Sequence, residues 1–299
     1  MKLSALIPTY NDDCTVLVKR LAFQAAQILD DEWEIIVGDD VSTDQAVVTH
    51  NKEINAWPHC RYIFKENNTG RAAIRNWLSQ QAQGEWLLFV DADLAIIDDD
   101  YLQKMWDARG KCPVVCGGYQ VLAGPKGNLR HRYEAKTAHS ITAKQRATHP
   151  YNNFKISNTL IKAEVYAAHP LDERVQGYGY EDVLMGKDLQ KSGVAVLHID
   201  APVGFSKFET NASFVAKTEE GLRTLCHLRN ELQGYSNLLT AVERLHNMHL
   251  THVVLGLYHL LGYHWRNGLV SPHPTLWHLH AYKLGFLLQL IADEATPTK

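Results

Sequence analysis

The sequence predicts an α/β protein with a mostly parallel, Rossmann-like central sheet flanked by helices, followed by a C-terminal helical extension. Over the first ninety residues, short apolar runs alternate with longer amphipathic ones, which is the pattern of βαβ units. After about residue 215, apolar residues recur at helical spacing, as at Leu222, Leu225, Leu228 and Leu232. We therefore expect one large domain over residues 1–215 and a helical extension over residues 216–299.

The individual elements follow from the same runs. Strands are expected at Leu3–Ile7, Trp33–Val37, Arg61–Phe64, Glu85–Val90, Pro113–Cys116 and Val194–Ile199. Helices are expected at Cys14–Leu29, Asp44–Ala56 and Arg71–Gln83. The polar, basic segment Tyr133–Tyr151 suits a mobile loop or a surface helix.

Composition excludes several classes of protein. The chain has 299 residues, of which 45% are hydrophobic and 21% charged, as in an ordinary globular protein. A formal net charge of −3 gives no electrostatic reason to expect nucleic acid as a partner. The five cysteines show no metal-site spacing and predict isolated buried thiols. With no signal-peptide pattern and no long apolar stretch, we expect a cytoplasmic protein.

Polar clusters follow the first four predicted strands. Open parallel sheets bind ligands beyond the carboxyl ends of their strands, so these clusters should meet at one edge. Any one of them alone is equally typical of an ordinary turn. The clusters are Pro8-Thr9-Tyr10-Asn11, Gly38-Asp39-Asp40, Asn67-Asn68-Thr69-Gly70 and Asp91-Ala92-Asp93.

The acidic pair Asp91 and Asp93 predicts a metal site. In an extended stretch residues i and i+2 project to the same side, so both carboxylates should face one point. Paired carboxylates attract a hard cation such as Mg²⁺ or Mn²⁺, which can bind a diphosphate. The nearby acidic triplet ending at Asp100 is interpreted instead as a helix start, with Gln103 completing a capping box.

Two further pairs have alternative interpretations. Asp39 and Asp40 could bond to a nucleoside, or form a turn with Ser42. Arg71 and Arg75 lie one helical turn apart and could meet a phosphate or base, or remain solvated. Neither G-x-G-x-x-G after the first strand nor G-x-x-x-x-G-K-[ST] is present, which disfavours Rossmann dehydrogenases and P-loop enzymes.

Together these segments, with Arg75-Asn76 and the run from Gly84 to Asp93, resemble family 2 glycosyltransferases over roughly Met1–Phe208. The resemblance implies the GT-A fold, with a nucleotide-sugar-binding half at 1–110 and an acceptor-binding half at 111–215. It implies an inverting enzyme of polysaccharide synthesis that uses a divalent metal, Mn²⁺ or Mg²⁺. Its donor would be a nucleotide-diphosphate sugar, by default UDP-linked, and its acceptor a saccharide or glycolipid.

The resemblance also implies residue roles. Asp93 is the closer metal ligand of the pair Asp91 and Asp93. The implied donor-binding residues are Pro8, Thr9, Tyr10, Asp39, Asp40, Asn68, Gly70, Arg71, Arg75, Asp91, Ala92 and Asp93.

The segment Gly177-Tyr-Gly-Tyr-Glu-Asp-Val183 resembles the acidic motif of the same family. By resemblance Asp182 is the general base and Glu181 holds the acceptor, although acids at this point also stabilise a helix start. The acceptor site would be built from Tyr133–Asn158 and Gly177–Asp182.

One departure concerns the metal. Relatives often carry a histidine after a Pro-Val pair, but here Pro202-Val203 is followed by Gly204. His198 is a weak substitute, so the metal could be held by Asp93, diphosphate and water alone.

The C-terminal helices are rich in histidine, and half of the 16 histidines fall between His246 and His280. His246, His249 and His252 could form a metal site. The apolar helix around Leu250–Leu261 could pack on the catalytic domain, on a second subunit, or peripherally on the inner face of a membrane. Few Lys and Arg residues speak against electrostatic membrane binding. A nucleotidyltransferase and a catalytically silent nucleotide-sugar-binding relative are the alternative functions.

Overall fold

The computed structural model describes residues 1–138, 142–175 and 177–295, which form two compact units. The first unit comprises Met1–Leu122, Ala138–Gln176 and Glu181–Lys207, and the second comprises Ala123–Thr137, Gly177–Tyr180 and Phe208–Lys299. These units do not follow the predicted division after residue 215, which stays a prediction. Residues 139–141 of the predicted acceptor segment and residues 296–299 of the extension lie outside the described residues.

Side-chain hydrogen bonds hold residues 123–137 within the second unit. Asn128 Nδ2 donates to the carbonyl oxygen of Glu209 at 2.7 Å, and the Leu129 amide donates to Asn211 Oδ1 at 2.7 Å. These bonds join residues 123–137 to the start of the first helix of the C-terminal part. The partners are about 80 residues apart in the chain, so local sequence patterns do not predict the contact.

The strands are β1 (Leu3–Thr9), β2 (Trp33–Asp39), β3 (Cys60–Phe64), β4 (Trp86–Val90), β5 (Leu94–Ile96), β6 (Val114–Cys116), β7 (Tyr119–Val121), β8 (Asn158–Lys162), β9 (Val196–His198) and β10 (Val203–Phe205). The helices are α1 (Thr15–Ile28), α2 (Gln45–Asn51), α3 (Arg71–Gln81), α4 (Tyr101–Ala108), α5 (Leu129–Ala138), α6 (Ala143–Arg146), α7 (Ala163–Ala168), α8 (Glu181–Lys191), α9 (Asn211–His227), α10 (Asn237–Asn247), α11 (Thr251–Val270) and α12 (Leu276–Ala295). A 3-10 turn, Lys52–Ala56, follows α2.

The central sheet of the first unit has the strand order β3-β2-β1-β4-β8-β6-β9. The strand β1 runs parallel to β2 and β4, and its register places Thr9 beside Asp39. Only β8 runs antiparallel to its neighbours, β4 and β6. The carboxyl ends of β1 to β4 therefore share one edge, as the sequence predicts.

Alternating side chains of the strands pack against helices on both faces of the sheet. On β1, Ala5 and Ile7 belong to the cluster formed with α1 and α4, and Leu6 belongs to the cluster formed with α3 and α8. Fully burying a side chain of this size stabilises the fold by about 1.5–3 kcal/mol. All five cysteines are buried free thiols, which confirms the prediction from their spacing.

A second, three-stranded sheet has the order β5-β10-β7. Its middle strand β10 pairs antiparallel with β5 and parallel with β7. The strand β5 begins directly after the acidic turn at the end of β4. Pairing of β5 with β10 in this small sheet therefore fixes the path of the chain as it leaves the turn.

The capping box predicted for α4 is wrong. The carboxylate of Asp100 makes no cap hydrogen bond and pairs with Lys104 Nζ at 2.8 Å, while Gln103 Nε2 donates to Asp107 at 2.8 Å. Instead the Leu102 amide donates to Oε1 of the buried Gln24 at 2.8 Å. A residue of α1 thus satisfies the helix start.

The second unit packs α5, α9, α11 and α12 around one apolar cluster, which includes Leu129, Phe214, Trp265, Leu269 and Tyr282. None of the helices in the described part of the chain is long and apolar enough to cross a membrane. Within the same residues no group of three or more His, Cys, Asp or Glu side chains is placed to hold a metal. The histidine metal site considered for the extension is therefore not formed.

The backbone of β1 lies so close to Gly84 that a side chain at this position should lower the stability of the fold. An added Cβ would lie 2.4 Å from the Ser4 amide nitrogen and 2.7 Å from the Leu3 carbonyl carbon, so β1 would have to move. We expect Gly84→Ala to lower the free energy of unfolding by about 1–3 kcal/mol, measured by urea denaturation. Gly110→Ala is the control, because nothing lies within 4 Å of its added Cβ. Equal effects would contradict the packing argument.

Candidate active site

Asn11 joins the carboxyl ends of β1 and β2. Its Oδ1 accepts hydrogen bonds from the amides of Thr43 and Asp44, both at 2.8 Å, and its own amide donates to Ser42 Oγ at 2.7 Å. Its φ of 60° lies in the left-handed region, which asparagine adopts more readily than most residues. The sequence interpretation assigned no role to Asn11, although its turn chemistry is the signal that could have found it.

Beside Asn11, the segment Pro8–Tyr10 presents one aromatic ring. Thr9 is buried, and its hydroxyl donates to the Asp12 carbonyl oxygen at 3.0 Å. Tyr10 is 47% exposed. Its ring is therefore the part of this segment that a nucleoside could reach.

The carboxylates of Asp39 and Asp40 hold protein backbone. Asp39 is fully buried and accepts hydrogen bonds from the Ser42 amide and the Tyr62 hydroxyl. Asp40 accepts from the amides of Thr69 at 3.0 Å and Gly70 at 2.9 Å. The turn with Ser42 is thus the arrangement that forms, and both acids shape the loops around the edge.

Asn68 and Gly70 lead from that edge into α3. Asn68 Nδ2 donates to the Asp40 carbonyl oxygen at 2.8 Å. Gly70 has a φ of 84° and precedes the first residue of α3, so its left-handed conformation sets the position of Arg71.

Arg75 is buried and pairs with Asp91. Its Nη2 donates to Asp91 Oδ1, and its Nη1 donates to the Arg71 carbonyl oxygen at 2.8 Å. Burial opposes the guanidinium charge, yet the carboxylate of Asp91 keeps the pKa of Arg75 above its usual value. The Arg75 Nε atom is buried, and no group among the described residues accepts a hydrogen bond from it.

Arg71, one helical turn earlier, is 43% exposed and lies between two carboxylates. Its Nη2 is 3.7 Å from Asp91 Oδ2, and its Nε is 3.3 Å from Glu181 Oε1. The predicted pair of arginines therefore shares a face, and both guanidinium groups contact acids of the candidate site.

The acidic turn after β4 differs from the prediction. Residues 91–93 do not continue the strand, because the Leu94 amide donates to the Asp91 carbonyl oxygen at 3.1 Å and closes a turn at Ala92 and Asp93. The extended i, i+2 geometry is therefore wrong. Asp91 forms ion pairs with Arg71 and Arg75. Asp93, two residues further along, is partly exposed.

Glu181 and Asp182 begin α8, as the alternative interpretation of a helix start requires. Glu181 is buried, and its Oε2 has no hydrogen-bond partner in the described structure. A buried carboxylate oxygen left unbonded is costly, and a ligand hydroxyl is one group that would satisfy it.

The Asp182 side chain is 18% exposed. Its Oδ1 accepts from the Ile156 amide at 3.2 Å, and its Oδ2 lies 3.7 Å from Lys155 Nζ. Burial raises the pKa of Asp182, with Lys155 opposing and the charge of Glu181 adding to the rise. A raised pKa brings a carboxylate closer to the range suited to a general base.

His198 does not complete a metal site. Its Nδ1 accepts from Arg146 Nε at 3.3 Å, and its Nε2 donates to the Pro150 carbonyl oxygen at 2.9 Å. Burial lowers its pKa, which is consistent with a neutral ring using both nitrogens structurally.

The remaining donor set fits a cation held jointly with a diphosphate. Asp93 is a partly exposed carboxylate at the end of β4 and is the residue that the family resemblance assigns to this cation. Mg²⁺ in particular is commonly held by one or two carboxylates together with phosphate oxygens and water.

The fold and these residues agree with a known family. A family model described as glycosyl transferase family 2 matches residues 4–165, which is more than half of the chain. The chain belongs to glycosyl transferase family 2. A curated relative is the poly(ribitol-phosphate) beta-N-acetylglucosaminyltransferase TarS of Staphylococcus aureus, 37% identical over 106 residues. The match covers 35% of this chain and only 17% of that relative.

Two solved glycosyltransferase structures share the GT-A fold and extra C-terminal helices with this chain. S. aureus TarS 1-349 in complex with UDP-GlcNAc has a TM-score of 0.53 at 17% identity, covering 99% of this chain and 92% of that one. Mannosyltransferase PcManGT from Pyrobaculum calidifontis, in complex with GDP-Man and Mn²⁺, has a TM-score of 0.59 at 14% identity, covering 98% and 86%. The predicted fold class is confirmed.

Removing Arg75 should destabilise the protein strongly. Arg75→Met leaves Asp91 short of its buried partner, and we expect a loss of about 3–5 kcal/mol in the free energy of unfolding by urea denaturation. Arg20→Met is the control, since its pair with the 92% exposed Asp99 should contribute no more than about 1 kcal/mol. A small effect at Arg75 would show that the buried pair does not organise the sheet edge.

Proposed function

We propose that the protein is an inverting glycosyltransferase that moves a sugar from a nucleotide-diphosphate sugar to a hydroxyl of a saccharide or glycolipid. The observation that carries the proposal is the largely buried Asp182, whose neighbour Glu181 is linked through Arg71 to Asp91. Groups assigned to donor and acceptor thus belong to one charge network, as expected of a site with a perturbed carboxylate.

The chemistry is a single displacement. The acceptor hydroxyl attacks the anomeric carbon on the side opposite the diphosphate, the bond from that carbon to the phosphate oxygen breaks, and the diphosphate leaves with the electron pair. The hydroxyl proton passes to the carboxylate of Asp182 as the new bond forms. One displacement inverts the anomeric configuration.

On the donor side, the exposed ring of Tyr10, which follows Pro8 and Thr9 at the end of β1, would contact the nucleoside. Arg71 would meet the diphosphate. In this proposal the hydrogen bonds of Asp39, Asp40, Asn68 and Gly70 hold the surrounding backbone. Ala92 lies buried in the acidic turn between Asp91 and Asp93. Arg75 would keep Asp91 in place. A Mn²⁺ or Mg²⁺ ion on Asp93 would neutralise charge developing on the leaving diphosphate.

A uridine-diphosphate sugar is the donor we propose. The support is the matched relative TarS, which is named as an N-acetylglucosaminyltransferase and whose structure holds UDP-GlcNAc. A guanosine-linked donor is the alternative, because PcManGT holds GDP-Man. The relative's name also supports a role in polysaccharide synthesis. Five buried free thiols support a cytoplasmic setting, where reducing conditions maintain them.

The donor site can be tested by thermal shift with UDP, GDP and dTDP, each with and without Mn²⁺. We expect UDP with Mn²⁺ to stabilise the wild type, by about 2.7 kcal/mol at a hundredfold excess over its Kd. Asp93→Ala should lose the Mn²⁺-dependent part, whereas Asp99→Ala, whose side chain is 92% exposed, should keep it. Stabilisation by GDP and not by UDP would show that the donor is a guanosine-linked sugar instead of the proposed uridine-linked one. Stabilisation by no nucleotide would favour a repurposed family member.

The role of Asp182 is tested by turnover and its pH dependence. Asp182→Asn should lower kcat about 10²–10⁴-fold while leaving the UDP thermal shift intact. The base must be ionised to accept the proton, and the pKa of Asp182 is raised above the ordinary aspartate value of about 3.9. Wild-type kcat should therefore fall as the pH drops through this raised pKa.

Asp188→Asn on the same helix is the control, since Asp188 is 53% exposed and pairs with His169. An unchanged kcat in Asp182→Asn, measured by release of the sugar from its donor, would show that Asp182 takes no part in the reaction. Nucleotide binding without turnover in the wild type would identify a catalytically silent relative.

A further inference from the structure

The segment that precedes β8 packs tightly against α8. Phe154 and Ile156 are buried in one apolar cluster with Met185 of α8. A Cβ added at Gly186 of the same helix would lie 2.3 Å from the Tyr151 carbonyl oxygen, so no side chain fits between the two backbones. Packing therefore fixes the position of this segment relative to the start of α8.

Lys155 lies between the two buried residues of this segment, and its side chain is 50% exposed. Its carbonyl oxygen accepts a hydrogen bond from Thr159 Oγ1 at 2.6 Å, which holds the backbone from which the side chain extends. Its Nζ atom is 3.7 Å from Asp182 Oδ2. The amide of the next residue, Ile156, donates to Asp182 Oδ1 at 3.2 Å. Adjacent residues thus contact the two oxygens of one carboxylate.

The two oxygens of the Asp182 carboxylate are held in different ways. Oδ1 accepts a hydrogen bond from the backbone, whereas Lys155 Nζ lies at an ion-pair distance from Oδ2 that is too long for a hydrogen bond. No hydrogen bond within the described part of the chain goes to Oδ2. Oδ2 therefore keeps the lone pairs with which it can accept a proton.

The charged and titratable groups that face Asp182 are Lys155, Glu181 on α8, Arg75 on α3 and Cys116 on β6. Burial has the largest effect and raises the pKa of Asp182, whereas the charge of Lys155 has the next largest and lowers it. Glu181 raises this pKa and Arg75 lowers it. Burial also raises the pKa of the Cys116 thiol to about 11, so this group is uncharged at neutral pH. Lys155 is thus the main cation that opposes the effect of burial.

The burial of one partner distinguishes this ion pair from a surface pair. An ion pair between two exposed side chains has little effect on either group, because water and salt screen it. Here the Asp182 side chain is only 18% exposed, although Lys155 reaches solvent. The carboxylate is therefore the partner whose ionisation depends on the pair.

We propose that Lys155 is a positioning residue for the proposed base: its ammonium group keeps the Asp182 carboxylate ionised and leaves Oδ2 able to accept a proton. This role rests on the proposed function, in which Asp182 takes the proton of the acceptor hydroxyl. That proton passes to Oδ2 while Oδ1 stays bonded to the Ile156 amide, and Lys155 keeps its own protons. The neutral carboxyl then releases the proton to water, which the neighbouring cation favours.

The pH dependence of kcat tests this role. Lys155→Met removes the charge and keeps a side chain of similar length. The acidic limb of the kcat profile should move to higher pH by about 1 pH unit, at the low end of the effect of a neighbouring charge, because Lys155 is half exposed. Lys155→Arg should restore the wild-type limb. Lys191→Met is the matched control, since Lys191 is an exposed residue at the far end of α8.

A second measurement follows the ionisation of Asp182 without turnover. In ¹³C NMR of protein labelled at its aspartate carboxyl carbons, the Asp182 signal is the one that is missing from Asp182→Asn. We expect the pKa read from this signal to rise by about 1 unit in Lys155→Met and to stay unchanged in Lys191→Met. An unchanged near-ultraviolet circular dichroism spectrum shows that each variant is folded.

The outcomes separate this role from the proposed function. A rise in the pKa of Asp182 that is confined to Lys155→Met supports the role, and a matching move of the kcat limb supports Asp182 as the base. The same rise with an unmoved limb still supports Lys155 as the group that keeps Asp182 ionised, but it overturns the proposed base. An unchanged pKa in Lys155→Met, or equal rises in both lysine variants, overturns the role of Lys155. A loss of kcat that is equal at every pH, with an unchanged pKa, reduces Lys155 to a structural contact.

Discussion

The buried ion pair between Arg75 and Asp91 is the interaction on which the site depends. Arg75 comes from α3 and Asp91 follows β4, so the pair ties a helix to the carboxyl edge of the sheet. Neither charge tolerates burial alone, because an uncompensated buried ion costs several kcal/mol. Arg71 extends the same network to Glu181, and α8 thereby places Asp182. The donor side and the proposed base are held by one continuous set of charges.

Around this network, acids that resemble ligands act as structural groups. Asp39 and Asp40 use their oxygens on backbone amides, and Asn11 does the same for the neighbouring loop. Such bonds satisfy buried polar groups where four strands end at one edge. Specific loop geometry, rather than a row of free carboxylates, is what these residues contribute. In the proposed mechanism Asp93 and the diphosphate would hold the cation.

The two units use their polar and apolar residues in opposite ways. In the first, charges of α3, β4 and α8 are drawn inward at the sheet edge. In the second, apolar side chains of α11 remain outside, and carboxylates are missing over a long stretch. Charged groups drawn to the sheet edge suit chemistry on a diphosphate.

The sequence alone determined the α/β class and most element positions, because apolar periodicity is a local property. The helix expected at Cys14–Leu29 forms at Thr15–Ile28, and the first four strands lie within two residues of their predicted ends. Only the tertiary structure decided that Gln24 caps α4, that the acidic segment is a turn, and that Asp91 belongs to Arg75. It also decided that residues 123–137 join the C-terminal helices. Apart from the turn, which is closed locally between Asp91 and Leu94, these contacts join residues far apart in the chain, where periodicity carries no information about which polar group meets which.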